Sequence, residues 1–304
     1  MWAISVQSSL SKSLTRLLSD HFSIFVEYDN SEHEYYFFTS SHLDDIKPAD
    51  YTIASYRSKA LIRILNSILS LTGSNGLAYD SDIIHYISDN DVWLTHTINV
   101  ADQDIEYREL QYPFNRDPHI LNEFESVPDD SEFKRHYIID FFDCAYKEEI
   151  VHEVLILFSV LKYDVLLILV NTSKILENIE YDLGIGKGTK NPEEKINELK
   201  SLLTEDFWNS YFFFKKGRFT HFSNTNLGSK LFSRHGLVLN WHYTDKKGDP
   251  LPPVSFKDIH HHIPILISEW ISYKIYCKKA IRYKAIPKIK FNELLTDEDF
   301  EFDL

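Results

Sequence analysis

"DYTIASYRSKALIRILNSILSLTG", residues Asp50 to Gly73, decides how the N-terminal third of the chain folds. Ala54, Leu61, Ile64, Leu65, Ile68 and Leu71 recur at three- and four-residue intervals, and at 3.6 residues per turn that spacing lays them along one face of a helix. Gly73 follows the last of them, where a helix end commonly takes left-handed backbone. The stretch therefore predicts an amphipathic helix with its C-terminal cap.

Outward from this helix, the neighbours read as strands. "WAISVQS", "FSIFVEYD" and "EYYFFTS" precede it, short runs of β-branched and aromatic residues separated by polar breaks. A short helix is expected between the first two, over Leu10 to Leu18. After the helix, "DVWLTHTINV" alternates, with Val92, Leu94, Ile98 and Val100 on one side, which predicts a half-buried strand. Residues 1–105 are thus expected to form a small mixed α/β module. Residues 106–135 turn polar and acidic, with Pro113, Pro118, Pro128 and the doublet Asp129-Asp130, and read as a linker.

From His136 to residue 290 helical patterns dominate. "YIIDFFDCAYKEEIVHEVLILFSVLKYDVLLILVNTSKILENIEYDLG" reads as one or two long helices, apolar nearly all round in the middle and so central in a bundle. Pro192 with Glu193 and Glu194 marks a helix start, because proline suits the first turn and acids suit the positive end of the macrodipole. "EDFWNSYFFF" continues as another helix, and "FKDIHHHIPILISEWISYKIYCKKAIRYKA" as a last amphipathic one, kinked or begun at Pro264. Residues 291–304 form an acidic tail. The fold class is α+β, with a small mixed α/β module followed by an all-helical bundle.

Composition narrows the class further. Gly (9) and Pro (10) are scarce in 304 residues, which favours long regular elements. Cys144 and Cys277 stand far apart in apolar helical contexts, so neither a disulfide framework nor a thiolate metal site is expected, and a reducing compartment is. No signal peptide is read at the N-terminus, and charges at Glu153, Lys162 and Asp164 interrupt the most apolar run. A cytoplasmic protein with no membrane association and no cofactor is the expectation.

Charge is unevenly spread. Residues 213–290 hold 15 Lys plus Arg against four acids, whereas the whole chain holds 32 against 46. A basic stretch in an acidic chain points to a polyanion, or to the chain's own acidic part, as its counterpart. Within it, Tyr273, Tyr276 and Tyr283 interleave with Lys274, Lys278, Lys279, Arg282 and Lys284, a pairing that suits phosphate neutralisation and base stacking. Lys215, Lys216, Arg218, Lys278, Lys279 and Arg282 are the nucleic-acid-binding candidates. The same segment reads equally as a helix whose tyrosines are core and whose lysines dock the acidic regions.

Other clusters carry less. His260, His261 and His262 cannot all face one ion on a helix, since neighbours diverge by about 100°, and no metal site is expected. "GIGKGTK", Gly184 to Lys190, lacks phosphate-loop spacing and follows a helix, so it reads as a helix connection. Asp140, Asp143, Glu148 and Glu149 read as a solvated face.

The run "LFSRHGLVLNWHY", Leu231 to Tyr243, contains Arg234, His235 as its polar neighbour, Asn240 and His242. An arginine with a polar neighbour and a following histidine, in a helical bundle ahead of a last long helix, resembles the HEPN family. Many HEPN domains are metal-independent ribonucleases of bacterial defence and toxin systems, usually completed by a second copy. The resemblance implies a homodimer that binds or cleaves RNA as a defence or toxin effector. Arg234 would contact the scissile phosphate and His242 would move a proton near neutral pH, with His235 and Asn240 orienting. The pattern departs from the family in spacing, because seven residues separate Arg234 from His242 and Asn240 falls in the expected window. Asn cannot act as a general base, so with Asn240 in the functional slot the site is degenerate. The other reading is a non-catalytic interaction protein, whose acidic N-terminal module binds a protein partner and whose helical domain is structural.

Overall fold

A computed structural model describes residues 1–17, 19, 21–29, 31–80, 82–98, 101–114, 136–163, 167–215, 219, 222–223 and 254–278, with backbone only at 162–163 and 277–278. The fold is α+β. The chain forms two compact units, Met1–Tyr146 together with Phe291–Leu304, and Lys147–Lys290.

The first unit is built on an antiparallel sheet. Its strands are β1 (Trp2–Gln7), β2 (Ser23–Tyr28), β3 (Glu34–Thr39), β4 (Ala78–Tyr79), β5 (Ile83–Ile87) and β6 (Trp93–Thr97). They run in the order β2-β3-β1-β5-β6, with β4 paired to β1. Central β1 places Trp2, Ile4 and Val6 on one buried face, while on the other Ala3 is buried, Ser5 half-buried and Gln7 exposed. The register sets Ile4 beside Phe38 and Phe38 beside Ile24, so one face carries a continuous apolar row. Helix α1 (Ser11–Leu14) is a single turn, shorter than the Leu10–Leu18 expected.

Helix α2 (Tyr51–Leu71) packs against β1 and β5. All six residues of its predicted face are buried, each such side chain contributing about 1.5–3 kcal/mol for the larger ones. The helix ends as expected, with Gly73 at φ +76°. The chain beyond is clamped by Asn66, whose Nδ2 donates to the Leu77 carbonyl at 2.9 Å and whose Oδ1 accepts from the Leu77 N–H at 2.6 Å. A Cβ at Gly76 would lie 2.7 Å from Cγ of Asn66, so this clamp requires glycine there.

Helices α3 (Gln103–Gln111) and α4 (Tyr137–Lys147) complete the elements of this part of the chain. α3 occupies the beginning of the segment read as linker, and α4 opens the segment read as bundle; residues 103–111 and 137–146 lie in the first unit. Asp102 caps α3 by accepting from the Ile105 N–H at 3.0 Å, and α3 packs on α2.

The second unit contains α5 (Glu149–Tyr163), α6 (Ile168–Leu183), α7 (Pro192–Leu199), α8 (Glu205–Lys215) and α9 (Phe256–Lys278). The run from Tyr137 to Gly184 is therefore three helices, α4 to α6, where one or two were expected. Gly184 closes α6 at φ +68°, with the Ile185 N–H on the Glu180 carbonyl at 2.9 Å, and the Gly184–Lys190 run connects α6 to α7. Pro192 stands in the first turn of α7. α8 packs on α9, and Phe207 and Phe214 of the one and Ile259, Ile263, Leu266 and Trp270 of the other are all buried. α9 starts at Phe256, so Pro264 lies inside it. Among the described residues no helix is long and apolar enough to cross a membrane.

Candidate functional site

Lys215 and Lys274 of the helical unit are tied to acids inside it. Lys274 of α9 is 3% exposed, with Nζ 2.5 Å from Asp182 Oδ1 and 3.4 Å from Glu148 Oε2. Asp182 also accepts from Trp270 Nε1 at 2.9 Å. Helical spacing explains the set, since residues 270 and 274 lie one turn apart on one face of α9. Nearby, buried Glu180 accepts from the Tyr211 hydroxyl at 3.0 Å and from Lys215 Nζ at 2.5 Å. Burial, and then the Glu180 carboxylate, push the Tyr211 phenol far up, so it stays a donor.

Lys215 is the one candidate phosphate contact whose side chain is described, and its charge is engaged by Glu180. Lys278 closes α9. Lys216, Arg218, Lys279 and Arg282 lie outside the described residues, as do Arg234, His235, Asn240 and His242. His260 and His261 are exposed, whereas His262 is half-buried, bonded to Ser210 Oγ at 3.2 Å and stacked on Phe213 at 4.3 Å. Burial pulls the His262 pKa down. Among the described residues no group of three or more His, Cys, Asp or Glu is placed to hold a metal ion.

The N-terminal unit contains a polar chain that no spacing in the sequence announced. His21 Nδ1 lies 3.1 Å from His42 Nε2, and His21 Nε2 lies 3.4 Å from Asp143 Oδ1. Both histidines are buried, His42 completely. Ser40 fixes them: its Oγ donates to the His21 carbonyl at 2.5 Å and accepts from the His42 N–H at 3.1 Å. Tyr146, Phe142 and Phe114 ring the pair. Because a carboxylate only accepts, the consistent assignment runs from His42 Nε2–H to His21 Nδ1 and from His21 Nε2–H to Asp143. Asp143, read from sequence as part of a solvated face, is a partner in this chain. The geometry can hold one proton between the two rings.

Beside it, Arg57 donates from Nε to Glu109 Oε2 at 2.7 Å, and from a terminal nitrogen to the His42 carbonyl at 3.1 Å and to Asp45 at 3.0 Å. Glu109 is 3% exposed and takes a second arginine, Arg108, at 3.2 Å. These networks bind η1 (Ser41–Leu43), α2, α3 and α4 together. Apart from Asp45 and Arg108, their groups are enclosed, and they account for folding more readily than for an exposed reaction centre.

The second sheet face carries a smaller cluster, in which Ala3 and Phe37 are buried and Phe25 and Trp93 partly buried beside His85, with the Trp93 and Phe37 rings 4.9 Å apart. Burial lowers the His85 pKa. At the rim, Tyr28, Tyr35, Val92 and Leu94 are exposed. Val92 and Leu94 were expected on a buried face; they are 54% and 47% exposed because β6 is the last strand of the sheet. Residues 1–114 hold seven Lys plus Arg against 16 acids, and three of the seven, Arg57, Arg63 and Arg108, pair with Asp45, Glu106 and Glu109. Residues 64–107 contain no Lys or Arg and seven acids, a gap in basic charge that the sequence displays and that marks this surface.

Comparison with family models, curated proteins and solved structures matches the chain to none of them.

Proposed function

We propose that this chain is an interaction protein that binds a protein partner through its acidic N-terminal unit. The observation that carries this is the contrast in where charge sits. Acids of the N-terminal unit such as Asp80, Asp89 and Asp91 are exposed beside exposed apolar side chains, whereas Lys215 and Lys274 are engaged by Glu180 and Asp182. An acidic surface attracts cationic partners over a Debye length of about 8 Å at physiological salt and repels nucleic acid. Buried Lys274 and Glu180 then serve the packing of the helical unit.

The test is a paired set of variants in the full chain. Asp89→Lys with Asp91→Lys is expected to abolish partner binding, and Arg234→Ala to leave it intact; the reverse pattern overturns the reading.

A second reading is supported by a separate observation, the Arg234, His235 and His242 pattern within a stretch of 15 bases and four acids. It is a HEPN-like homodimer that binds or cleaves RNA without metal, as a defence or toxin effector. It requires cleavage of RNA in chelator that is lost in Arg234→Ala, with RNA binding that falls steeply with salt.

A further inference from the structure

Strands β2 and β3 continue past the rest of the sheet. Among the described residues β1 pairs with β3 only from Tyr36 to Phe38, whereas β2 and β3 stay paired out to Tyr28 and Glu34. The last two rungs of this hairpin are therefore a ribbon of two strands. Glu27 stands opposite Tyr35 on one face of the ribbon, and Tyr28 opposite Glu34 on the other, since successive residues of a strand alternate between faces. All four side chains are exposed, Tyr28 by 63% and Tyr35 by 48%. Each face thus shows solvent one phenol ring with one carboxylate beside it, opposed residues lying about 5 Å apart at Cβ.

Among the described residues no Lys or Arg answers these carboxylates, and the sequence has neither from residue 17 to residue 46. Asp29, in the turn, accepts from the Ser31 and His33 N–H groups at 2.8 and 3.0 Å and from the Tyr35 hydroxyl at 3.3 Å, with the exposed His33 ring 3.5 Å away. Glu34 accepts from the Tyr36 hydroxyl. The hairpin end so gathers four acids, Glu27, Asp29, Glu32 and Glu34, against one histidine. Other acids of the unit differ. Asp80 and Asp82 share the field of Lys59, and Asp45, Glu106 and Glu109 are held by arginines.

A ring beside a carboxylate selects a particular cation. Arginine lays its planar guanidinium on an aromatic face and turns its fork of N–H donors to a carboxylate, whereas a phosphate meets repulsion from the same four acids. We infer that the end of the β2–β3 hairpin binds arginine side chains of a protein partner, one guanidinium between Tyr35 and Glu27 and another between Tyr28 and Glu34. Because the ribbon offers the same pair on both faces, the partner brings its arginines to opposite sides of it, from a segment that wraps the hairpin. Tyrosine suits such a surface, since it supplies contact area while losing only two side-chain torsions. An open ribbon does not enclose free arginine, because small ligands take clefts that bury most of their surface. This rests on the interaction reading above and names a site and a partner chemistry for it.

The test uses the full chain at pH 7 and the peptide acetyl-Gly-Arg-Gly-Gly-Arg-Gly-amide, with counterparts carrying citrulline or lysine in place of arginine. The arginine peptide is expected to shift the amide signals of Glu27, Tyr28, Glu34 and Tyr35 saturably, with affinity falling as salt rises. Citrulline keeps the shape without the charge and is expected to weaken binding at least tenfold. Lysine keeps the charge without the plane and is expected to weaken it severalfold. Glu27→Gln with Glu34→Gln is expected to cost at least tenfold, and Tyr28→Leu with Tyr35→Leu, which leaves every charge in place, at least threefold. Glu193→Gln with Glu194→Gln, at exposed acids of α7, is expected to change nothing. Circular dichroism checks that each variant folds. No shift with the arginine peptide, equal binding of the citrulline peptide, or a tyrosine variant that binds as the parent does overturns the inference. An oligouridylate that shifts the same four amides also overturns it, as does a dimer of the chain that Glu27→Gln with Glu34→Gln dissociates, by making a second copy the occupant. If Asp89→Lys with Asp91→Lys abolishes partner binding while the hairpin variants leave it intact, the hairpin inference fails and the interaction reading stands.

Discussion

His21 Nδ1 and His42 Nε2 lie 3.1 Å apart in a buried contact that joins the start of β2 to the turn after β3. Each ring satisfies the other, and Asp143 satisfies the far nitrogen of His21 at 3.4 Å. His42→Ala is expected to cost about 2–4 kcal/mol, from the cavity and from the orphaned His21 nitrogen together. Urea denaturation followed in the N-terminal unit measures it. A loss under about 0.5 kcal/mol would contradict the enclosed geometry.

Arg57 and Glu109 form the second constraint of that unit, at 2.7 Å with the carboxylate 3% exposed. Removing Arg57 leaves buried Glu109 with only the half-exposed Arg108, at 3.2 Å, of the two arginines it meets. Arg57→Ala is expected to destabilise by about 3 kcal/mol, and Glu109→Gln by less, because the amide oxygen still accepts. Equal losses in the two variants would show that the pair contributes nothing through charge.

Lys274 gives the corresponding expectation in the helical unit. Lys274→Met leaves Asp182 with Trp270 Nε1 alone and is expected to cost about 3 kcal/mol. Adding Asp182→Asn is expected to recover part of that loss, since the uncompensated charge is then gone. A double variant no better than the single would contradict this assignment.

Glu269 yields a pH dependence. Burial raises its pKa above the ordinary 4.5, the Thr204 hydroxyl at 2.7 Å opposing. The folded state therefore binds this proton more tightly than the unfolded state does. Stability from this group is fully present below pH 4.5 and is lost as pH rises through the folded pKa. Glu269→Gln, whose carbonyl can still accept from Thr204, is expected to raise the unfolding midpoint at pH 7, with the advantage vanishing below pH 4.5. A midpoint lowered at pH 7 would reverse the sign and contradict it.

How much of this was legible in the sequence depends on what marks each element. β1, β2, β3 and α2 stand out because β-branched runs and helical spacing are local signals, and Gly73 ends α2 as its position indicates. The breaks between α4, α5 and α6 are not marked by Gly or Pro, so the run from Tyr137 to Leu183 reads as longer helices than it forms. Val92 and Leu94 alternate like a buried face, yet alternation cannot reveal that β6 ends the sheet. His21, His42 and Asp143 come from positions 21, 42 and 143, and only tertiary folding brings them together. The absence of Lys and Arg across residues 64–107 was present in the sequence. Its meaning depends on knowing which side chains of that stretch are exposed.

The most direct measurement of the central claim is crosslinking of the full chain in the cells that make it, with a carboxylate-directed reagent for protein partners and ultraviolet light for RNA, each site mapped by mass spectrometry. The account predicts partner crosslinks concentrated in residues 1–114, lost in Asp89→Lys with Asp91→Lys, and no RNA crosslinks above background. Partner crosslinks confined to residues 213–290, or RNA crosslinked there and lost in Arg234→Ala, would contradict it.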